Sequence, residues 1–166
     1  MTRTRRGLTA GDTAHGAATT TRAGASGLEV FRRLAAGELP APPLVRLLGF
    51  RLTEVAKGRV VFVATPTEAH YNGMGVVHGG WSAALLDSAL GCAVNSMMPA
   101  GRVFATLELK VNLTRPLRAE TGEVRCEAAV LHVGRRTATA DARVLDRQGR
   151  LYAHATATCI VVEPPQ

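Results

Sequence analysis

Aromatic side chains are few, 4% of the 166 residues: Phe31, Phe50, Phe62, Tyr71, Trp81, Phe104 and Tyr152. A core must therefore be filled mainly by Ala, Val and Leu, and this length suffices to bury one without metal or disulfide staples. Cysteine is also sparse. Cys92, Cys126 and Cys159 are odd in number, widely spaced and without a C-x-x-C pair, which argues against a disulfide framework and a zinc site. They read as small core residues in a reducing cytoplasm. No apolar stretch approaches the roughly 20 residues of a membrane-spanning helix. Arg5 and Arg6 are followed by Gly, Ala and Thr rather than an apolar run, so no secretory or twin-arginine signal is expected. His15, His70, His132 and His154 are scattered, without the spacing of metal ligands, and no metal is expected. No internal repeat is evident.

Acidic groups are outnumbered, 13 Asp plus Glu against 20 Lys plus Arg, a formal net charge of +7. Such an excess points to an anionic partner without saying which. Residues 1–27 are polar, aperiodic and rich in Gly, Ala and Thr, the composition of a disordered leader. They hold Arg3, Arg5, Arg6 and Arg22 against Asp12, so nearly half of the excess lies outside the expected domain, 28–166. The leader lacks the aromatics that stack bases, and no nucleic-acid partner is expected. Its Arg- and Thr-rich, acid-poor character leaves an organellar transit peptide as the alternative to a solvated cytoplasmic tail.

Within the domain, Leu28, Phe31 and Leu34 recur at helical spacing, and Pro40, Pro42 and Pro43 end that pattern. Leu44–Leu48 allow a further short turn, closed by Gly49. Arg51–Val55 and Arg59–Thr65 read as a hairpin around Lys57-Gly58. Gly80–Met97 is almost uncharged, with Asp87 as its single exception; a helix apolar on nearly all sides is buried. Four alternating runs follow. In the first, Val103, Ala105, Leu107, Leu109, Val111 and Leu113 are expected to share the covered face. The other three, 123–130, 137–144 and 151–161, are joined by turns at Gly134 and Asp146-Arg147-Gln148-Gly149 and are expected to be successive antiparallel neighbours. One long apolar helix with six strands predicts an α+β domain, a curved antiparallel sheet wrapped around that helix. Its edges predict pairing with another subunit.

Two features carry chemistry. Gly79 and Gly80 follow His78 at the expected helix entrance, where backbone N–H groups lack intrahelical partners and the helix dipole favours developing negative charge. Plain loop geometry explains the same glycines. Asp87 stands mid-helix among Leu85, Leu86, Ala89 and Leu90, where an unpaired carboxylate is costly. It is either the partner of an arginine on an exposed helix face or a carboxylate that takes a proton from water or attacks directly.

The run Asn72-x-x-Gly75-x-x-His78-Gly79-Gly80, followed by Asp87 and the alternating strands, resembles the hotdog-fold acyl-CoA thioesterases of the PaaI-like (phenylacetic acid pathway) type. The resemblance covers roughly Leu28–Val162, and Gly73-Met74 departs from it, since many relatives have Pro and an aliphatic residue there. It implies a hotdog fold and hydrolysis of an acyl-CoA to a free acid and coenzyme A, with no cofactor beyond the coenzyme A of the substrate. It further implies that Asp87 activates water or acts as nucleophile and that Asn72 and the Gly79 N–H polarise the thioester carbonyl. His78 buttresses the site and Thr106 helps position the water. Asp87 and Thr106 of one subunit face Asn72 and Gly79 of its neighbour, in a dimer or dimer of dimers.

Coenzyme A offers several phosphate charges that guanidinium groups bind well. Gly134-Arg135-Arg136 is the expected clamp, read otherwise as a solvated turn, with Arg115, Lys110 and Arg118 as lesser candidates. Trp81 and Met97 are candidates for the acyl pocket or for plain core. The competing functions are an acyl-CoA-binding sensor or carrier without turnover and a hotdog dehydratase.

Overall fold

The structure, a computed structural model, describes residues 24–162. Most of the expected leader, 1–23, and residues 163–166 lie outside the described residues. Helix α1 (Gly27–Ala35) opens with a capping box, in which the Glu29 N–H donates to Ser26 Oγ at 3.3 Å and the Ser26 N–H donates to the Glu29 carboxylate at 2.8 Å. The helix starts one residue before Leu28. Gly27 is pressed onto the end of the central helix, where an added Cβ would overlap the Asn95 carbonyl. Helix α2 (Pro43–Leu47) leads through Gly49, at φ +71°, into the hairpin of β1 (Phe50–Ala56) and β2 (Arg59–Ala64).

The central helix α3 spans Gly79–Asn95. It is followed by β3 (Val103–Leu113), β4 (Val124–Val133), β5 (Thr137–Asp146) and β6 (Leu151–Val162). Six strands form one antiparallel sheet in the order β1-β2-β4-β5-β6-β3. The last three strands are successive neighbours, as their turns require. The sheet curves around α3, which meets every strand from β2 to β6. Leu85, Leu86, Ala89, Leu90, Ala93 and Val94 of α3 are fully buried. Opposite them, Ala138, Ala140 and Ala142 of β5 and Ala153, Ala155 and Ala157 of β6 are buried as well. Methyl-sized side chains let helix and sheet approach closely, so a core poor in aromatics still excludes water.

The expected face of β3 needs correction. Pairing with β6 runs Thr106↔Cys159 and then Glu108↔Thr158, so Leu107 is an extra residue, a β-bulge. A bulge flips the alternation. Upstream of it Thr106, though exposed like Ala105 and Leu107, is paired with buried Cys159 and reaches Asp87 of α3. Downstream, Leu109, Val111 and Leu113 are paired with buried Ala157, Ala155 and Ala153.

The two edges of the sheet differ. Helices α1 and α2 pack against β1, whereas the far side of β3 has no neighbour among the described residues. Leu107 and Leu113 on that strand are 61% and 57% exposed. Among the described residues no helix is long and apolar enough to cross a membrane.

The turn between β5 and β6 is held by a buried carboxylate. Asp146 Oδ1 accepts from the N–H groups of Gln148 and Arg150, each at 2.9 Å, and Oδ2 accepts from Arg150 Nε at 2.6 Å and from the Tyr152 hydroxyl at 3.2 Å. Burial alone would raise its pKa; the bonds from Arg150 and Gln148 outweigh it and hold the group below its ordinary value. A depressed native pKa contributes stability above the unfolded value and loses it as pH falls through the native one. Asp146→Asn should therefore lower the urea midpoint at pH 7, with the difference closing below about pH 4. Leu90→Ala, at a fully buried position, should cost roughly 2–5 kcal/mol in the same titration.

Candidate active site

Asp87 sits on α3, half-buried, on the side that meets β3. Its neighbour is a hydroxyl, not an arginine: Thr106 Oγ1 donates to Asp87 Oδ1 at 3.1 Å. The sequence alone left both readings of this carboxylate open; among the described residues no arginine pairs with it. Two thiols share the neighbourhood. Burial pushes Cys92 up to about 12, with the Asp87 charge adding to the effect. Cys159 is also raised, by burial and secondarily by Asp87, against an opposing pull from the Thr106 hydroxyl. Neither thiol is ionised at neutral pH, so neither is a nucleophile there. No spacing in the sequence announces this pair; cross-strand register and helix packing bring them in.

The second group of candidates forms the entrance to α3. The Asn72 Oδ1 accepts from the Met74 N–H at 2.9 Å and the Val76 N–H at 3.4 Å, while the Asn72 N–H donates to the Val76 carbonyl at 2.8 Å. The side-chain carbonyl is thus consumed within its own turn, which leaves the amide N–H groups as the outward end of Asn72. Gly73-Met74, the departure from the resemblance, is accommodated in this turn, with Gly75 at φ +71°. His78 is the N-cap of α3, its Nδ1 accepting from the Gly80 N–H at 2.9 Å. The N–H of Gly79 has no acceptor among the described residues. A Cβ on Gly79 would lie 2.6 Å from Leu113 Cδ1 of β3, and one on Gly80 would lie 2.9 Å from His78 Nδ1. The first contact is with the tip of a flexible, exposed leucine side chain and the second with the capping imidazole itself.

One chain does not bring the two groups together. Gly79 and Asp87 are eight residues apart on one helix, a rise of about 12 Å. Asp87 and Thr106 lie instead toward the end of the sheet that bears Gly134-Arg135-Arg136. Thr106, Cys159 and Ala138 form one row across β3, β6 and β5, so the turn stands a few residues further on and two strands, about 10 Å, across. Arg135 and Arg136 are exposed, and the Gly134 N–H donates to the Thr137 carbonyl at 2.7 Å. Arg115 is elsewhere. It follows β3 at the opposite end, its guanidinium 5.7 Å from the Tyr152 ring centre. Lys110 is exposed on the outer face of β3. Arg118 Nη1 donates to the Gly75 carbonyl at 3.1 Å, a role the sequence did not signal.

Trp81 is core, donating from Nε1 to the Leu48 carbonyl at 3.2 Å and meeting Phe50 edge-on at 5.2 Å. Met97 packs against Gly58. A groove of about 830 Å³ lies on the outer face of the sheet, lined by Arg59, Arg125, Glu127, Asp141 and Arg143 among others, away from Asp87 and Asn72. Its charges are partly paired, Arg125 with Glu54 at 2.9 Å and Glu127 at 3.3 Å, and none of the chemistry above reaches it. Among the described residues no group of three His, Cys, Asp or Glu side chains is arranged to hold a metal ion.

Residues 74–153 match the family model of the thioesterase superfamily. A phenylacetic acid degradation-related protein of Ralstonia eutropha, a solved structure, is 31% identical; the match covers 78% of this chain and 98% of that one, with a TM-score of 0.71. A 1,4-dihydroxy-2-naphthoyl-CoA hydrolase of Listeria monocytogenes is 27% identical over 119 residues, 71% of this chain and 94% of the relative. A Halobacterium salinarum protein provisionally named an esterase is 40% identical over 79 residues, 46% of this chain and half of its own length.

The cap on α3 is testable without any assay of activity. His78→Ala removes the acceptor of the Gly80 N–H and should destabilise the fold by about 1 kcal/mol in urea titration. An unchanged midpoint would show that the bond contributes nothing to stability.

Proposed function

Because the chain belongs to the thioesterase superfamily, we propose that it hydrolyses acyl-CoA thioesters, with Asp87 as general base in a site completed by a second copy of the chain. The observation that carries this reading is the Thr106–Asp87 hydrogen bond. A hydroxyl that donates to one carboxylate oxygen fixes the group while leaving the other oxygen to receive a proton. Water gives that proton to Asp87 as its oxygen bonds to the thioester carbonyl carbon. The oxyanion is met by the free Gly79 N–H, at the positive end of α3, and by the outward amide of Asn72, donors already oriented before charge develops. Collapse breaks the C–S bond, and the departing sulfur takes the proton from Asp87 to give the acid and the thiol of coenzyme A. His78 supports the donors by capping the same turn. Arg135 and Arg136, at the Asp87 end of the sheet, suit the phosphates of coenzyme A.

The separation of Gly79 from Asp87 within one chain is what calls for the second copy. The open edge of β3 offers unpaired backbone groups and exposed leucines, a template for another strand. Antiparallel pairing of β3 with itself about Leu109 sets Glu108 opposite Lys110 twice, an attractive cross-strand pair. With the bulge at Leu107, that register brings Leu113 of the second copy opposite Phe104. Phe104 touches Gly91 of α3, one turn beyond Asp87, and Gly79 of the second copy travels with its Leu113. Arg115 comes to the site only by this route, from the second copy.

Thiol release from a panel of acyl-CoA esters is the primary test. Asp87→Asn should lower kcat by about a hundredfold or more, and equal rates for the two proteins would remove Asp87 from the mechanism. Binding of acyl-CoA without turnover would favour a carrier, and release of water without free thiol a dehydratase. Arg135→Ala with Arg136→Ala should raise KM for CoA esters more than for small thioesters lacking the nucleotide; unchanged discrimination would leave these side chains to solubility. Glu108→Lys should weaken self-association in sedimentation and lower activity with it, and Glu108→Lys with Lys110→Glu should restore both. Association indifferent to both changes would refute the register.

A further inference from the structure

Three consecutive residues in the β3–β4 connection each hold the loop that carries Asn72. Leu117 accepts from the Val77 N–H at 3.0 Å, Arg118 Nη1 donates to the Gly75 carbonyl at 3.1 Å, and the Ala119 N–H donates to the Tyr71 hydroxyl at 2.9 Å. Two of these bonds use the backbone of the connection, and they reach the base of the loop, where Tyr71 and Val77 form a bridge. The middle one alone is made by a side chain of the connection, and it reaches the tip. There the Met74 and Val76 N–H groups on either side of Gly75 hold the Asn72 Oδ1. The connection is itself braced, since the Arg118 N–H donates to Thr121 Oγ1 at 3.2 Å and the Thr121 N–H donates to the Arg118 carbonyl at 3.1 Å. Gly75, at φ +71°, and Gly73 leave the tip with little stiffness of its own. A charge-assisted bond to a carbonyl supplies what the glycines lack.

We propose that Arg118 is a positioning residue: through the Gly75 carbonyl it fixes the Asx turn that aims the Asn72 amide at the developing oxyanion. The proposal rests on the reading of Asn72 as an oxyanion donor and adds to it the group that orients that donor. It also separates Arg118 from the arginines suited to the nucleotide. A group that acts by orientation affects kcat for every thioester alike, whereas a phosphate ligand affects KM for CoA esters only.

The test compares Arg118→Ala, Arg118→Lys, Asn72→Ala and the Arg118→Ala/Asn72→Ala double variant on an acyl-CoA and on a small thioester without the nucleotide. Arg118→Ala should lower kcat roughly tenfold on both substrates with little change in KM. Lys, which retains one charged donor, should recover part of the loss, and Arg118→Ala should cost nothing further once Asn72 is gone. A KM increase confined to the CoA ester, or full additivity with Asn72→Ala, would overturn the positioning role. If Asn72→Ala retains wild-type rates, the reading of Asn72 fails rather than the geometry of Arg118. Hydrogen exchange addresses that geometry whether or not a substrate is found. Arg118→Ala should speed exchange of the Met74 and Val76 N–H groups while leaving the Val77 N–H protected. Unchanged protection at Met74 and Val76 would refute the proposal.

Discussion

The close approach of α3 to β3 is the constraint on which the rest of the molecule depends. Two glycines mark it. A Cβ on Gly91 would lie 2.8 Å from the ring of Phe104, and one on Gly79 would lie 2.6 Å from Leu113. Helix and strand are thus pinned at two points, and Asp87 lies between them with Thr106 within hydrogen-bond reach. The alanines of β5 and β6 let the rest of the sheet follow the same curve. A side chain at Gly91 would press on the Phe104 ring, which lies between the helix and the strand that carries Thr106.

That geometry separates the two groups of candidate residues along the helix. The carboxylate lies mid-helix, toward the basic turn at Gly134–Arg136. The candidate donors lie at the N-terminus, where the Gly79 N–H has no acceptor among the described residues and His78 closes the cap. The rise of the helix keeps the two groups about 12 Å apart within one chain. The proposed second copy would bring them together at β3, whose far side has no neighbour among the described residues, whereas α1 and α2 cover β1.

The charge excess that first drew attention to an anionic partner resolves into separate duties. Four arginines belong to 1–27, Arg125 and Arg150 are tied to carboxylates, and Arg118 holds a backbone carbonyl. Arg135 and Arg136 are exposed beside the Asp87 end of the sheet. Count alone could not distinguish them, since a guanidinium that braces a loop and one that meets a phosphate look alike in a sequence.

Much of the architecture was legible in residue order. Periodicity marked the strands, the near-uncharged run marked the buried helix, and the turn residues between β4, β5 and β6 set their order. Local rules govern each of those features, so local sequence suffices. The face of β3 was misread because a bulge is a pairing event: Leu107 becomes an extra residue only when β6 is laid beside it, and nothing in strict alternation announces the switch. The same holds for Cys92 and Cys159 beside Asp87 and for Arg118 against Gly75, contacts made by segments far apart in the chain. By itself the sequence determined a small-residue α+β core, a helix entrance with free donors and one out-of-place aspartate. Tertiary structure decided that, among the described residues, this aspartate meets a threonine rather than an arginine, and that the Asn72 turn and the helix entrance are held together by contacts from the β3–β4 connection, because those outcomes depend on register and packing between elements.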